Sequence, residues 1–256
     1  MTDAAQGNAT AGGEATAPLL EVEGLDAWYG AAQILFGLSL TVGRGEAVAL
    51  LGRNGAGKST TLKAIMGLVE RRARRLAFDG QDVARLPTHA LARRGLGYVP
   101  EDRRIFTGLT VAENLDVGRQ PPRLLADGRP APGWTTEHLF ELFPNLAGMA
   151  DRRGGQMSGG EQQMLTLART LMGNPLLVLL DEPSEGVAPI IVEQMAQAIL
   201  ALKQKGLSIL LSEQNFRFCE MICDRVYVIE HGELRWRGMT RGLSSLPEVK
   251  SNYAIL

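Results

Sequence analysis

An α/β fold built on a largely parallel sheet is predicted by three observations. A short apolar run, Ala47 to Leu51, passes through the glycine-rich stretch Gly52-Arg53-Asn54-Gly55-Ala56-Gly57-Lys58-Ser59-Thr60 into a helix-like pattern from Lys58 to Leu68. A second unbroken apolar run, Leu176 to Leu180, suits a central parallel strand covered on both faces. Strand-like and helix-like segments then alternate through the second half, as crossover helices between parallel strands require. With 256 residues, 45 % of them apolar, the chain can bury one large domain or two unequal lobes.

Residues 1–18 are rich in Ala, Gly and Thr and lack a basic start followed by an apolar stretch, so they read as a disordered tail and not as a signal peptide. Everything from residue 19 to 256 is expected to form a single domain. It opens with Leu20, Val22 and then Ile34 to Val42, where Leu38, Leu40 and Val42 alternate with Ser39 and Thr41 in the period of a half-buried strand. Between them lies Trp28-Tyr29-Gly30, where aromatics before a turn suit simple packing. The helix that starts at Lys58 is expected to end near Gly67. The arginine-rich stretch from Arg71 to Arg75 reads as a solvated turn. Leu76 to Phe78, closed by Asp79-Gly80, and Leu96 to Val99, closed by Pro100-Glu101, read as strands.

The character then changes. Residues 110–118 and 135–143 look helical, and Gln120 to Gly133 between them is loop-like because it holds four of the twelve prolines. Residues of about 101–165 therefore form a helical insertion between two strand-and-helix regions, 19–100 and 166–256. A helix with Met164, Leu165, Ala168, Leu171 and Met172 on one face stops at Gly173-Asn174-Pro175. A further helix carries Ile191, Met195, Ala198 and Leu202, and strands follow at Leu207 to Leu211 and Val226 to Ile229, the last entering a hairpin at His231-Gly232.

Composition narrows the chemistry. A net charge of −1 gives no global field for a nucleic-acid partner. The longest apolar runs fall far short of the ~20 residues that cross a bilayer, so the chain is expected to be soluble. Cys219 and Cys223, four apart in a helix-like segment, read as reduced packing residues.

The stretch from Gly52 to Thr60 fits G-x-x-x-x-G-K-[ST] in its required context of strand, loop and helix, and this points to nucleotide binding. Gly52, Gly55 and Gly57 let backbone N–H groups turn toward phosphate oxygens, and a helix N-terminus behind them favours negative charge. Lys58 can reach the outer phosphates and Ser59 can offer its hydroxyl to Mg²⁺. Asp181 and Glu182 end the buried run at Leu180, where ligands gather in open α/β sheets. Asp181 suits a magnesium shell, and Glu182 suits a base that orients or deprotonates water. Met157-Ser158-Gly159-Gly160-Glu161-Gln162-Gln163 opens a helix with a Ser and two glycines, either a second anion-binding N-terminus or an ordinary cap.

This ordered set, phosphate loop, then Met157 to Gln163, then Asp181-Glu182, resembles the ATP-binding cassette (ABC) transporter ATPases, and the likeness runs from Leu19 to the C-terminus. The resemblance implies a P-loop NTPase core with a mostly parallel sheet, an antiparallel β subdomain and a helical insertion, and ATP and Mg²⁺ as cofactors. It further implies two ATPase subunits meeting head to tail, alike or different, with each ATP between the phosphate loop of one and Ser158, Gly159, Gly160 and Glu161 of the other. Tyr29 would stack on adenine. Asn54, Ala56 and Thr60 would join the glycines, Lys58 and Ser59 around the nucleotide. Glu101 would sense the outer phosphate and metal, and Gln214 would be the switch residue. The usual family residues at Glu101, Gln214 and Ala188 are Gln, His and Asp. The first two, with Ala188-Pro189-Ile190-Ile191, resemble the second ATPase subunit of branched-chain amino acid importers and its urea and short-amide relatives; Glu185 is seen in the urea-type relatives. That branch implies uptake of branched-chain or other amino acids, with the alternatives of a urea or amide importer and of an exporter such as one for lipopolysaccharide. It also implies membrane subunits docked near Glu101 to Leu109, a solute-binding protein acting indirectly, no nucleic acid, and a place on the cytoplasmic face of the cell membrane.

Overall fold

The computed structural model describes residues 17–124, 128, 130, 131 and 133–241, so most of the N-terminal stretch read as a tail lies outside it. In chain order the elements begin with β1 (Leu20–Tyr29), β2 (Ala32–Val42), β3 (Ala47–Leu51), α1 (Lys58–Ile65), β4 (Glu70–Arg72), β5 (Arg75–Phe78), β6 (Gln81–Asp82), α2 (Thr88–Arg93) and β7 (Leu96–Val99). The helical stretch follows with α3 (Val111–Gly118), α4 (Thr136–Leu142), α5 (Pro144–Ala147) and α6 (Gly159–Leu171). The chain then returns to alternation with β8 (Leu177–Asp181), α7 (Pro189–Gln204), β9 (Ser208–Glu213), α8 (Phe216–Ile222), β10 (Arg225–Glu230) and β11 (Glu233–Met239).

The strands form two sheets. The larger runs β11-β10-β3-β9-β8-β7, parallel throughout except for the final hairpin β10–β11. The smaller is antiparallel, β2-β1-β5-β6, with β4 also paired to β1. Alternation along the strands explains why the apolar runs are unbroken: successive side chains leave opposite faces, and both faces are covered. Ala47, Ala49 and Leu51 join Val178, Leu180, Ile209 and Leu211 in one core, against α6, α7, α8 and the helices from α3 to α5. Val48 and Leu50 join Leu177, Leu179 and Leu210 in the other, against α1 and the antiparallel sheet.

Two readings needed revision. Trp28 and Tyr29 are the last residues of β1, not a connector. Arg71 is no solvated side chain: its guanidinium donates to the carbonyls of Ala64 and Ile65 in the last turn of α1, and to those of Val83, Ala84 and Leu86. Ala64 O and Val83 O also accept from the Gly67 and Leu86 N–H groups, and the guanidinium takes up the remaining acceptor capacity at this helix end and loop, which is why a charge can be half-buried there. Burial lowers the Arg71 pKa.

Candidate functional site

Parallel order places the functional segments side by side. The phosphate loop follows β3, Glu101 follows β7, Asp181 ends β8 with Glu182 next, and Gln214 follows β9, all at the C-terminal edge of adjacent strands. Helix α1 is preceded by Gly57 as its N-cap, which has φ 109° and supplies no side-chain cap; no acidic residue sits in the first turn. The leading N–H groups of α1 thus carry no side-chain cap and no acidic neighbour in their own turn, and they form the positive end of the helix dipole. A Cβ at Gly57 would approach Leu35 Cδ2 to 2.9 Å in a left-handed backbone, so glycine is required twice over.

Asn54, Gly55, Gly57, Lys58, Ser59, Thr60, Glu101 and Glu182 line one cavity of about 460 Å³, with Ile34 and Glu185. Gly52 and Ala56 line a neighbouring cavity of about 300 Å³ with His231. All three N–H donors of the Lys58 ammonium are engaged: Nζ lies 2.9 Å from Gly52 O, 3.1 Å from Arg53 O and 2.9 Å from Glu182 Oε1. Gln214 Nε2 donates to Glu182 Oε2 at 3.1 Å and to Asn54 Oδ1 at 2.6 Å. Lysine, glutamate, glutamine and asparagine from three strand ends therefore form one connected chain above the loop.

Beneath it Asp181 is 1 % exposed, its Oδ1 accepting from Ser212 Oγ at 2.7 Å and its Oδ2 from Tyr98 Oη at 2.9 Å. Burial, and then the Asp181 charge, push the Tyr98 hydroxyl pKa up, so Tyr98 stays a donor. Glu182 adopts φ 46°, a rare backbone for its residue type, pinned by its N–H donating to Ser212 O at 3.0 Å. Burial raises the Glu101 carboxyl pKa, and the Glu182 and Asp181 charges raise it further. Burial likewise raises that of Glu213, against three backbone N–H donors that favour its anion.

Sequence reasoning did not single out Tyr98, Ser212 or Glu213. The only signal was their place in strands flanking β8, since Asp181 and Ser212 become partners through the β8–β9 register. Two predicted groups lie apart from the cavity lining. Tyr29 ends β1 half-exposed. Ser158 to Glu161 open α6 with a reciprocal cap, in which the Ser158 N–H donates to Glu161 Oε2 at 2.6 Å and the Glu161 N–H donates to Ser158 Oγ at 3.4 Å. Gly160 is dictated by packing as well, because a Cβ there would meet Ile191 and Val187 side chains within 3 Å.

The family described as "ABC transporter" matches residues 35–185, which hold the phosphate loop, the Ser158 cap and the Asp181-Glu182 pair. The chain belongs to the ABC transporter family. It is an ABC ATPase, hydrolysing ATP to ADP and phosphate to power transport. The high-affinity branched-chain amino acid transport ATP-binding protein BraG of Pseudomonas aeruginosa is 37 % identical over 244 residues, covering 92 % of this chain and 99 % of that protein. The lipopolysaccharide export system ATP-binding protein LptB of Haemophilus influenzae is 36 % identical over 243 residues, covering 92 % and 96 %. A solved nucleotide-free ATP-binding cassette from an ABC transporter superposes with a TM-score of 0.76 at 26 % identity, over 94 % of this chain and all of that one. Among the described residues of this ABC ATPase, no helix is long and apolar enough to cross a membrane.

Proposed function

We propose that this ABC ATPase powers an importer of branched-chain or other amino acids. It would work as one of two cassettes beneath membrane subunits at the cytoplasmic face of the cell membrane. The observation that carries the catalytic reading is the hydrogen-bonded chain Lys58, Glu182, Gln214, Asn54 over an uncapped helix N-terminus. For the importer, support comes from Glu101 and Gln214 and from the match along nearly all of BraG. The match to LptB favours an exporter ATPase as the second reading. Glu185, on the cavity wall, keeps a urea or amide cargo in view. Co-purification separates these: a solute-binding protein recovered with the membrane complex, followed by a ligand screen on it, supports import and names the cargo. Recovery of a lipid-handling export assembly in its place would overturn import.

In this reading the backbone N–H groups from Gly52 to Thr60 receive the phosphates of ATP, and Lys58 exchanges its contact with Glu182 for a phosphate oxygen. The donor set fits magnesium. Ser59, Asp181 and Glu101 offer oxygen only, as a hard cation prefers, and no cluster of three His, Cys, Asp or Glu among the described residues would hold a metal without the nucleotide. When bound, Mg²⁺ would offset the negative charge of the phosphates. Glu182 orients and deprotonates the attacking water, and Gln214 donates to the outer phosphate. Tyr29 stacks on adenine, and Ser158 to Glu161 of a second cassette close the site.

Gln214→Ala should lower turnover by about 10² to 10³, by analogy with a lost oxyanion donor. Gln214→His should keep most activity near pH 7.5 and acquire a pH dependence between about 6 and 7, where imidazole titrates. A pH–rate series at saturating ATP checks both, and an Ala variant as fast as wild type removes Gln214 from catalysis.

The membrane-docking reading rests on the loop from Glu101 to Leu109. Phe106 is half-exposed, stacked under Arg169 at 5.0 Å, and borders a groove of about 490 Å³ with Val117 and Arg123. The loop is firmly held, because buried Asn114 accepts from Phe106 N at 2.9 Å and donates to Phe106 O at 3.0 Å. Phe106→Asp should uncouple transport while the isolated chain keeps its ATPase rate, since a new charge buried under a docked membrane subunit is costly. Complexes that assemble and transport normally would return the loop to solvent.

A further inference from the structure

Glu213 ends β9 and is 2 % exposed, and among the described residues no cation pairs with it. One carboxylate oxygen accepts from the Ser184 N–H at 2.9 Å; the other accepts from the Gln214 N–H at 2.9 Å and the Asn215 N–H at 3.1 Å. Its own carbonyl accepts from the Gly52 N–H at 3.4 Å, the first residue of the phosphate loop. One side chain and one peptide group thus touch the phosphate loop, the turn after Glu182 and the segment bearing Gln214. A buried carboxylate without a counter-ion is an expensive way to join loops, and Ser or Thr would serve for a single contact. What a carboxylate adds is acceptor capacity for donors arriving from two directions.

We propose that Glu213 is a positioning residue that fixes Gln214 against Glu182 and ties both to the Ser184 turn. It acts through Gln214, so the inference rests on the catalytic reading of Gln214 given above. The backbone N–H of Gln214 is clamped by Glu213 while its side-chain amide reaches Glu182 and Asn54, so loosening the clamp frees the amide to drift. Glu213→Gln turns an NH₂ group toward N–H donors that now face an oxygen. Glu213→Asp keeps the charge and shortens the reach by one methylene.

The test is a double-variant cycle on the full chain with Mg²⁺ and ATP, reading kcat, KM and thermal melting for wild type, Glu213→Gln, Glu213→Asp, Gln214→Ala and the two doubles. A misplacement of this kind is expected to lower kcat by about 10- to 10²-fold in Glu213→Gln and by less in Glu213→Asp. KM for ATP should stay within about threefold, and each double should be no more than about threefold slower than Gln214→Ala alone. Losses that multiply in the doubles would overturn the proposal and leave Gln214 in place. So would a lowered melting temperature with kcat unchanged, the mark of a purely structural staple. Wild-type turnover in Gln214→Ala would remove both the catalytic reading of Gln214 and this inference. Should Glu213→Gln fail to fold, the Glu213→Asp arm of the cycle decides alone.

Discussion

Glu182→Gln is expected to lower ATP turnover by about 10² to 10⁴ while nucleotide remains bound. Gln keeps the shape and still accepts the Gln214 amide through its oxygen, but it is not basic and cannot take a proton from water. The structure adds a second expectation. Glu182 Oε1 lies 2.9 Å from the Lys58 ammonium, so the carboxylate competes with incoming phosphate for that cation. Removing its charge should leave ATP affinity unchanged or tighter. Single-turnover hydrolysis together with titration of a fluorescent nucleotide reads both quantities. Turnover near wild type would strip Glu182 of its role as base, and weaker binding would show that the ion pair helps to assemble the site.

Lys58→Ala should abolish ATP binding and also destabilise the apo protein. The ammonium and carboxylate are 2 % and 8 % exposed at their side chains, so deleting the lysine leaves Glu182 buried with only the Gln214 amide as partner. Stranding one member of a buried ion pair costs about 3 kcal/mol at the lower end of measured cases, apt here because the cavity admits water. For a chain of this size that lowers the melting temperature by about 5 to 10 °C. The double variant Lys58→Ala, Glu182→Gln should recover most of the melting temperature and none of the binding. Differential scanning calorimetry without nucleotide checks this, and an unchanged midpoint in the single variant would show that the pair contributes nothing net.

What could be read from the sequence was local. The phosphate loop, the Asp181-Glu182 pair and the Ser158-Glu161 cap each declare themselves by spacing within a few residues, and the strands β3 and β8 by unbroken apolar runs. What could not be read depends on register or on tertiary burial. Ser212 and Tyr98 reach Asp181 only once β9 and β7 flank β8, and nothing near either residue signals it. Arg71 sits among arginines that look solvated, and its carbonyl partners lie 6 to 15 residues away along the chain. Helix α2, at six residues, is too short for its period to emerge from the pattern.

The strand order has a consequence for synthesis. Strand β3, which delivers the phosphate loop, has β9 and β10 as its two neighbours, and these begin at Ser208 and Arg225. A chain growing from its N-terminus at about 5 to 20 residues per second therefore carries the apolar run Ala47 to Leu51 for about 8 to 30 seconds before either partner leaves the ribosome. The antiparallel sheet, closed by residue 82, can form in that interval; the larger sheet cannot. Nucleotide is then no template for early folding, because the carboxylates and the glutamine that complete its site are made last. The nascent cassette spends that time with this apolar strand unpaired, and a chaperone that shields short apolar segments has a defined window in which to act.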